Sequence, residues 1–134
     1  MARAKDCKHF FGDAEKAMGF SQTVRASDTL YVSGVLAIDE KLRVVGVGDM
    51  KAQVAQVYAN LGRILEANGA SFQDVVKETV FATDLGALGS ALAPRQAAFD
   101  AAGAYMPAST MVQVTGLFLP GAMIEVELVA YLGN

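Results

Sequence analysis

The sequence predicts an α+β sandwich: a mixed β-sheet with two helices packed on one of its faces. Three observations lead there. Segments of strand character and segments of helical periodicity alternate in the order β-β-α-β-α-β-β, a mixture that favours helices layered on a sheet. The chain has 134 residues, of which 53% are hydrophobic, the size and composition of one domain with its own core. No repeat, low-complexity tract or linker divides it. The expectation is therefore one domain over residues 1–134, with residues 1–18 preceding the first strand.

Phe20 to Arg25 and Thr29 to Ile38 read as strands, the second (TLYVSGVLAI) rich in β-branched and aromatic residues. Ala26-Ser27-Asp28 supplies the turn between them. A loop holding Gly46 and Gly48 leads to Asp49, an N-cap for a helix from about Met50 to Asn68. Val54, Val57, Tyr58, Leu61, Ile64 and Leu65 recur at helical spacing on one side of it, and Asn68-Gly69 is a suitable stop. Val75 to Thr83 reads as a strand after a short turn. A second helix is expected from about Leu85 to Ala104, irregular at its start, where Gly86, Gly89 and Pro94 fall. Two strands, Ala108 to Thr115 and Ala122 to Tyr131, complete the chain.

Charged residues make up 19% and the net charge is −3, with a sequence pI near 5.0 and a mean hydropathy of +0.32. No charge occurs from Ala101 to Ile124, a stretch long enough to span a bilayer. Pro107, Pro120, Gly103, Gly116 and Gly121 interrupt it, and polar residues sit inside it, so it reads as strands and a turn rather than a membrane helix. So few charges on a small domain suggest that another subunit covers part of the surface. The acidic balance, without a basic cluster, leaves no electrostatic footprint for nucleic acid. The N-terminus lacks the apolar core of a signal peptide. Cys7 is the single cysteine, which precludes an intrachain disulfide and makes a cytoplasmic setting the expectation. Cys7 and His9 are too few ligands to close a metal site, and their segment is expected to be flexible and solvated.

No Walker loop, dinucleotide fingerprint, zinc motif or Cys-x-x-Cys is present. One cysteine and one histidine, both near the N-terminus, leave no Ser/His/Asp or Cys/His machinery. What remains is polar residues within apolar strands. Glu125 and Glu127 lie two apart in IEVELVAY and share a strand face opposite Ile124, Val126 and Leu128. They form either a solvated face or, if one lines a cleft, a general base for water. Ser109, Met111 and Gln113 share a face of the preceding strand and come near the glutamates if the two strands pair. Ser33-Gly34 interrupts an apolar strand. A glycine there marks a bulge, a tight packing point or the close approach of a ligand.

Four segments carry a resemblance: GFSQTVR at 19–25, LYVSGVLAID at 30–39, VYANLGRILEANGASFQDVVKETVFATDL at 57–85, and PASTMVQV with LPGAMIEVELVAY between 107 and 131. In this order they resemble the Rid family of reactive intermediate deaminases, also called the YjgF/YER057c/UK114 family. The resemblance implies a chorismate-mutase-like fold and a homotrimer whose sheets form a central barrel, with ligand sites in the intersubunit clefts. It implies a small-molecule substrate and no metal or organic cofactor. It implies hydrolysis of enamines and imines, such as 2-aminoacrylate, to a 2-keto acid and ammonia.

Residue by residue, Ser33 and Gly34 match the family's Ser-Gly, which offers backbone groups to the ligand. Glu125 matches the glutamate that handles the hydrolytic water, and Glu127 matches its neighbour. Three positions depart. Ser109 stands where family members place an arginine that clamps the substrate carboxylate, a task suited to its planar fork. Met111 replaces a cysteine, and Phe20 replaces the tyrosine of a Gly-Pro-Tyr-Ser segment. Arg95, near the family's ligand-contacting asparagine, is a candidate for the missing carboxylate partner.

The expected function is enamine/imine deamination in a branch lacking the arginine, with 2-aminoacrylate or 2-aminomuconate as substrate. Glu125 is the catalytic residue, and Ser33, Gly34, Ser109, Phe20, Met111 and Arg95 bind substrate. The alternatives are a non-catalytic trimer that binds a small metabolite and, least favoured on charge, an endoribonuclease or translation inhibitor. Neither nucleic acid nor membrane is expected as a partner.

Overall fold

The computed structural model describes residues 4–133. Its elements are β1 (Asp6–Lys8), α1 (Asp13–Met18), β2 (Thr23–Ala26), β3 (Thr29–Leu36), α2 (Met50–Ala67), β4 (Val75–Ala82), α3 (Leu85–Gly89), α4 (Ala93–Ala101), β5 (Ala108–Gln113) and β6 (Ile124–Tyr131). The strands form one mixed sheet in the order β1-β2-β3-β6-β4-β5, in which β4 and β5 run parallel and the other neighbours antiparallel. This is the expected α+β architecture, with two additions, one helix split in two and one rearrangement.

The core lies between one sheet face and α2 and α4. On β6, Ile124, Val126, Leu128 and Ala130 are buried, and they stand beside Val35, Leu30, Val80 and Ala82 of the neighbouring strands. From α2, Val54, Val57, Leu61, Ile64 and Leu65 are wholly buried against them. Each such side chain contributes about 1.5–3 kcal/mol by leaving water. Asp49 caps α2, its carboxylate accepting from the Ala52 amide at 3.0 Å. Asn68 and Gly69, the latter at φ 68°, end the helix where the sequence places its stop.

The expected helix from Leu85 to Ala104 is two helices. α3 ends at Gly89, the chain turns through Ser90–Leu92, and Pro94 sits at the first turn of α4. Proline is tolerated there because its missing N–H would have no intrahelical partner. The break lets Phe99 pack on Phe72, ring centroids 4.9 Å apart, and on Tyr58 at 6.3 Å.

Two corrections concern the termini of the sheet. The N-terminal segment, expected to be loose, contributes β1, which pairs with β2 from Asp6↔Arg25 to Lys8↔Thr23, and the helix α1. Strands β5 and β6 do not pair. Strand β4 lies between them, because the loop from Val114 to Met123 carries the chain across it. The uncharged stretch from Ala101 to Ile124 is this loop, the edge strand β5 and the chain leading into it. Among the described residues, no helix is long and apolar enough to cross a membrane.

A buried ionic cluster ties α4 and α2 to β4. Glu78 is fully buried and accepts from the Tyr58 hydroxyl at 2.6 Å and from Arg95 Nε at 2.7 Å, with Arg95 Nη2 on the same oxygen. Burial, and then the Glu78 charge, push the Tyr58 hydroxyl well above its usual range, so it stays a donor. Burial alone would lower the Arg95 pKa, but Glu78 outweighs it and the guanidinium stays charged. Removing one member of such a pair strands the other in the core. Arg95→Ala is expected to lower unfolding free energy by about 3–5 kcal/mol, and adding Glu78→Leu to recover much of it. Urea melts of the two variants check this; a double variant no more stable than the single one contradicts it.

Candidate active site

The site is assembled on β3 and β6. Val32 pairs with Leu128 and Val35 with Val126, so Ser33 and Gly34 together stand opposite Glu127 alone. This is a β-bulge, which re-aims side chains and increases local twist. Of the alternatives the sequence left for Ser33-Gly34, the structure has the bulge and the tight packing point. A methyl group on Gly34 would overlap the Glu125 carboxylate, at Oε1. Glycine here lets the carboxylate lie on its backbone; a larger residue would displace the Glu125 side chain.

Glu125 is placed by alternation. Its neighbours Ile124 and Val126 are fully buried on the helix side, so its own side chain takes the opposite face. There it lies between Leu36 of β3 and Phe81 of β4 in the register of the sheet. It lines a cleft with Met18, Phe20, Ser33, Gly34 and Phe118. Desolvation, and secondarily the Glu127 charge, raise its carboxyl above the ordinary value. Glu127 itself is exposed and faces a neighbouring hollow with Tyr31, Lys77 and Thr79.

Ser33 is held at three atoms. Its amide donates to the Gln22 carbonyl at 2.9 Å, its hydroxyl to the Ser21 carbonyl at 2.7 Å, and its carbonyl accepts from Gln22 Nε2 at 3.1 Å. Gln22 is fixed in turn by Glu15 of α1, whose buried carboxylate accepts from the amides of Gln22 (3.2 Å), Phe10 (3.1 Å) and Phe11 (2.5 Å). The far ends of the two site strands are tied by α2. Gln53 donates to the Gly46 and Gly121 carbonyls at 3.1 and 2.8 Å and accepts from the Met123 amide at 2.8 Å. Asn60 donates to the Leu36 and Ile38 carbonyls at 3.2 and 3.0 Å.

The Endoribonuclease L-PSP family model matches residues 12–132. A RutC family protein from Pyrococcus horikoshii is 34% identical over 123 residues, covering 91% of this chain and 94% of that protein. The chain belongs to the YjgF/RutC/Rid family. A Rid-family relationship also extends to a protein of Mus musculus named 2-iminobutanoate/2-iminopropanoate deaminase, 32% identical over 121 residues, or 90% of this chain and 87% of that one. The crystal structure of the Escherichia coli YjgF gene product superposes with a TM-score of 0.81 at 30% identity, covering 94% and 98% of the two chains. The fold is accordingly the chorismate-mutase-like fold of the Rid family.

Of the residues singled out from the sequence, Phe20, Ser33, Gly34 and Glu125 meet in one cleft. Ser109 and Met111 do not join them within the chain. They lie on β5 in register with Glu78 and Val80, on the helix side of the sheet and two strands from β6. Their expected nearness to the glutamates rested on a β5–β6 pairing that β4 prevents. Arg95 faces away from the cleft, and Glu78 occupies its guanidinium. It is buried rather than presented to a substrate carboxylate. Among the described residues, no cluster of three or more His, Cys, Asp or Glu side chains is arranged to hold a metal ion.

Sequence reasoning passed over Gln53, Asn60, Glu15 and Gln22. The first two had a visible signal: they fall with Val57 and Ile64 on the apolar stripe of α2, where a polar residue needs a buried partner. Glu15 and Gln22 gave none, since their partners are backbone amides and carbonyls brought close by the fold.

The raised carboxyl of Glu125 has a consequence for stability. Its ionised form is disfavoured in the folded state, a cost fully present above the raised pKa and relieved as pH falls through the carboxylate range. Glu125→Gln should therefore melt higher than the parent at neutral pH, with the difference shrinking as the pH is lowered. Thermal melts across that range check it; an advantage that grows on acidification contradicts it.

Proposed function

We propose that this protein is an enamine/imine hydrolase. It releases ammonia from a small reactive 2-imino or 2-amino-unsaturated acid, such as 2-aminoacrylate or 2-aminomuconate, at the Ser33–Gly34–Glu125 cleft. The observation that carries this reading is the Glu125 carboxylate, half desolvated and laid against the Gly34 backbone. A carboxylate with a raised pKa is a better base near neutral pH than an ordinary one. The mouse relative's name, an imine deaminase, supports the same chemistry.

In this mechanism Glu125 accepts a proton from water as the water oxygen bonds to the imine carbon. The resulting tetrahedral aminol collapses to a carbonyl. Glu125 returns this proton to nitrogen and takes the hydroxyl proton as the carbonyl forms, so the carbon–nitrogen bond breaks and ammonia leaves; an enamine substrate first becomes the protonated imine by taking a proton from water at carbon. No redox step occurs. Imine hydrolysis has a low intrinsic barrier, so holding water and imine carbon in register supplies much of the acceleration. The triply held Ser33 keeps the cleft wall fixed while this happens.

The reading includes assembly as a cytoplasmic homotrimer. β5 is an edge strand, and its exposed Ser109 and the adjoining Met111 are available to another copy rather than to their own cleft. In a trimer they would line the neighbouring subunit's cleft, with the Ser109 hydroxyl as a neutral hydrogen-bond partner for the substrate.

The test generates 2-aminoacrylate and 2-aminomuconate separately in situ and follows ammonia release. The wild-type protein should accelerate release from at least one of them, and Glu125→Ala should lose about 100-fold or more of that acceleration. Acceleration of neither, or a Glu125→Ala variant as active as the parent, would count against the proposal.

A further inference from the structure

Behind the cleft lies a second hollow that the hydrolytic reading leaves unused. It is an apolar cavity of about 110 Å³. Met18, Phe20, Gly34, Leu36 and Phe118 line both it and the Glu125 cleft, so the two adjoin across these residues. Beyond those walls it is closed by Phe11 and Ala14 from the N-terminal segment and by Ile38, Leu42 and Leu119 from the loops that follow β3 and precede β6. The polar groups at its edge are already engaged. Glu15 is held by backbone amides and Gln22 by Ser33. Among the described residues, neither hollow is lined by a lysine or an arginine.

We infer that this cavity receives the hydrocarbon side chain of the substrate. The protein then selects imines bearing an apolar substituent of several carbons over those bearing a methyl group or a second carboxylate. The inference rests on the hydrolytic reading of the Glu125 cleft and shifts its substrate class, making 2-aminoacrylate and 2-aminomuconate poorer substrates than imines with longer apolar chains. The physical case is direct. A substrate whose reacting carbon lies in the cleft beside Gly34 and Glu125 has the apolar cavity next to it. A hydrocarbon group gains by entering such a space, whereas a second carboxylate would be desolvated there without a cation. On this view the N-terminal segment is part of the specificity apparatus. β1 and the Glu15 hydrogen bonds seat α1 and Phe11, which supply one side of the cavity.

The experiment compares imines formed in situ by an amino-acid oxidase, with catalase present, from alanine and from leucine. Each buried carbon is worth about fourfold, so the three extra carbons of the leucine product should raise kcat/KM by up to roughly 60-fold. Ala14→Phe, which fills the cavity, should bring that ratio close to one. Calorimetric binding of pyruvate and of 4-methyl-2-oxopentanoate to the wild-type protein gives a readout independent of turnover, and the longer acid should bind at least tenfold more tightly. If neither imine is hydrolysed but the longer oxo acid binds more tightly, the hydrolytic reading fails and the cavity assignment stands. Equal kcat/KM for the two imines, a ratio unmoved by Ala14→Phe, or oxo acids that bind equally or not at all would overturn the inference.

Discussion

The register of β6 is the constraint on which the rest depends. Ile124, Val126, Leu128 and Ala130 are all buried beneath the helices, and a shift of one residue would drive Glu125 and Glu127 into that core instead. The burial of four apolar side chains therefore fixes the direction of both carboxylates. Strands β3 and β4 flank β6 and hold it in place. The bulge on β3 adds the second element: with Ser33 and Gly34 opposite one residue, a backbone without a side chain comes up against Glu125.

The same helix that makes the core also sets the ends of the site strands. Gln53 and Asn60 lie on its apolar stripe and spend their hydrogen bonds on backbone groups near the end of β3 and the start of β6. Buried amides in such positions are satisfied or costly, so they specify where these strands sit. On the opposite edge, Glu15 draws the N-terminal segment over the sheet through four backbone bonds. The cleft is thus held from both sides by polar residues that take no part in its chemistry.

Much of this was legible in the sequence, and the reasons differ by element. α2 announced itself through an apolar stripe between a capping aspartate and Asn68-Gly69, all local signals. The two faces of β6 followed from alternation, and Ser33-Gly34 stood out because the surrounding strand is apolar. Sequence could not show that β4 inserts between β5 and β6, because strand order is decided by packing of the whole sheet. That hidden fact placed Ser109 and Met111 away from the glutamates. Arg95 read as available because its partner Glu78 lies on a separate element, flanked in sequence by the polar Lys77 and Thr79. β1 and α1 escaped notice because three residues of strand and six of helix are too short to show a period.

The account joins a catalytic carboxylate, a glycine that admits it and a cleft that adjoins an apolar cavity. Its central claim is that the reacting carbon of the substrate lies in the cleft beside Gly34, facing the Glu125 carboxylate. A crystal structure of the protein with 4-methyl-2-oxopentanoate, a product analogue, tests this most directly. The claim predicts the oxo carbon over Gly34, within reach of Glu125 directly or through one water, and the isobutyl group against Leu36 and Phe118. An oxo acid bound instead in the shallow groove beside Lys5 and Lys16, with Glu125 untouched, would contradict it.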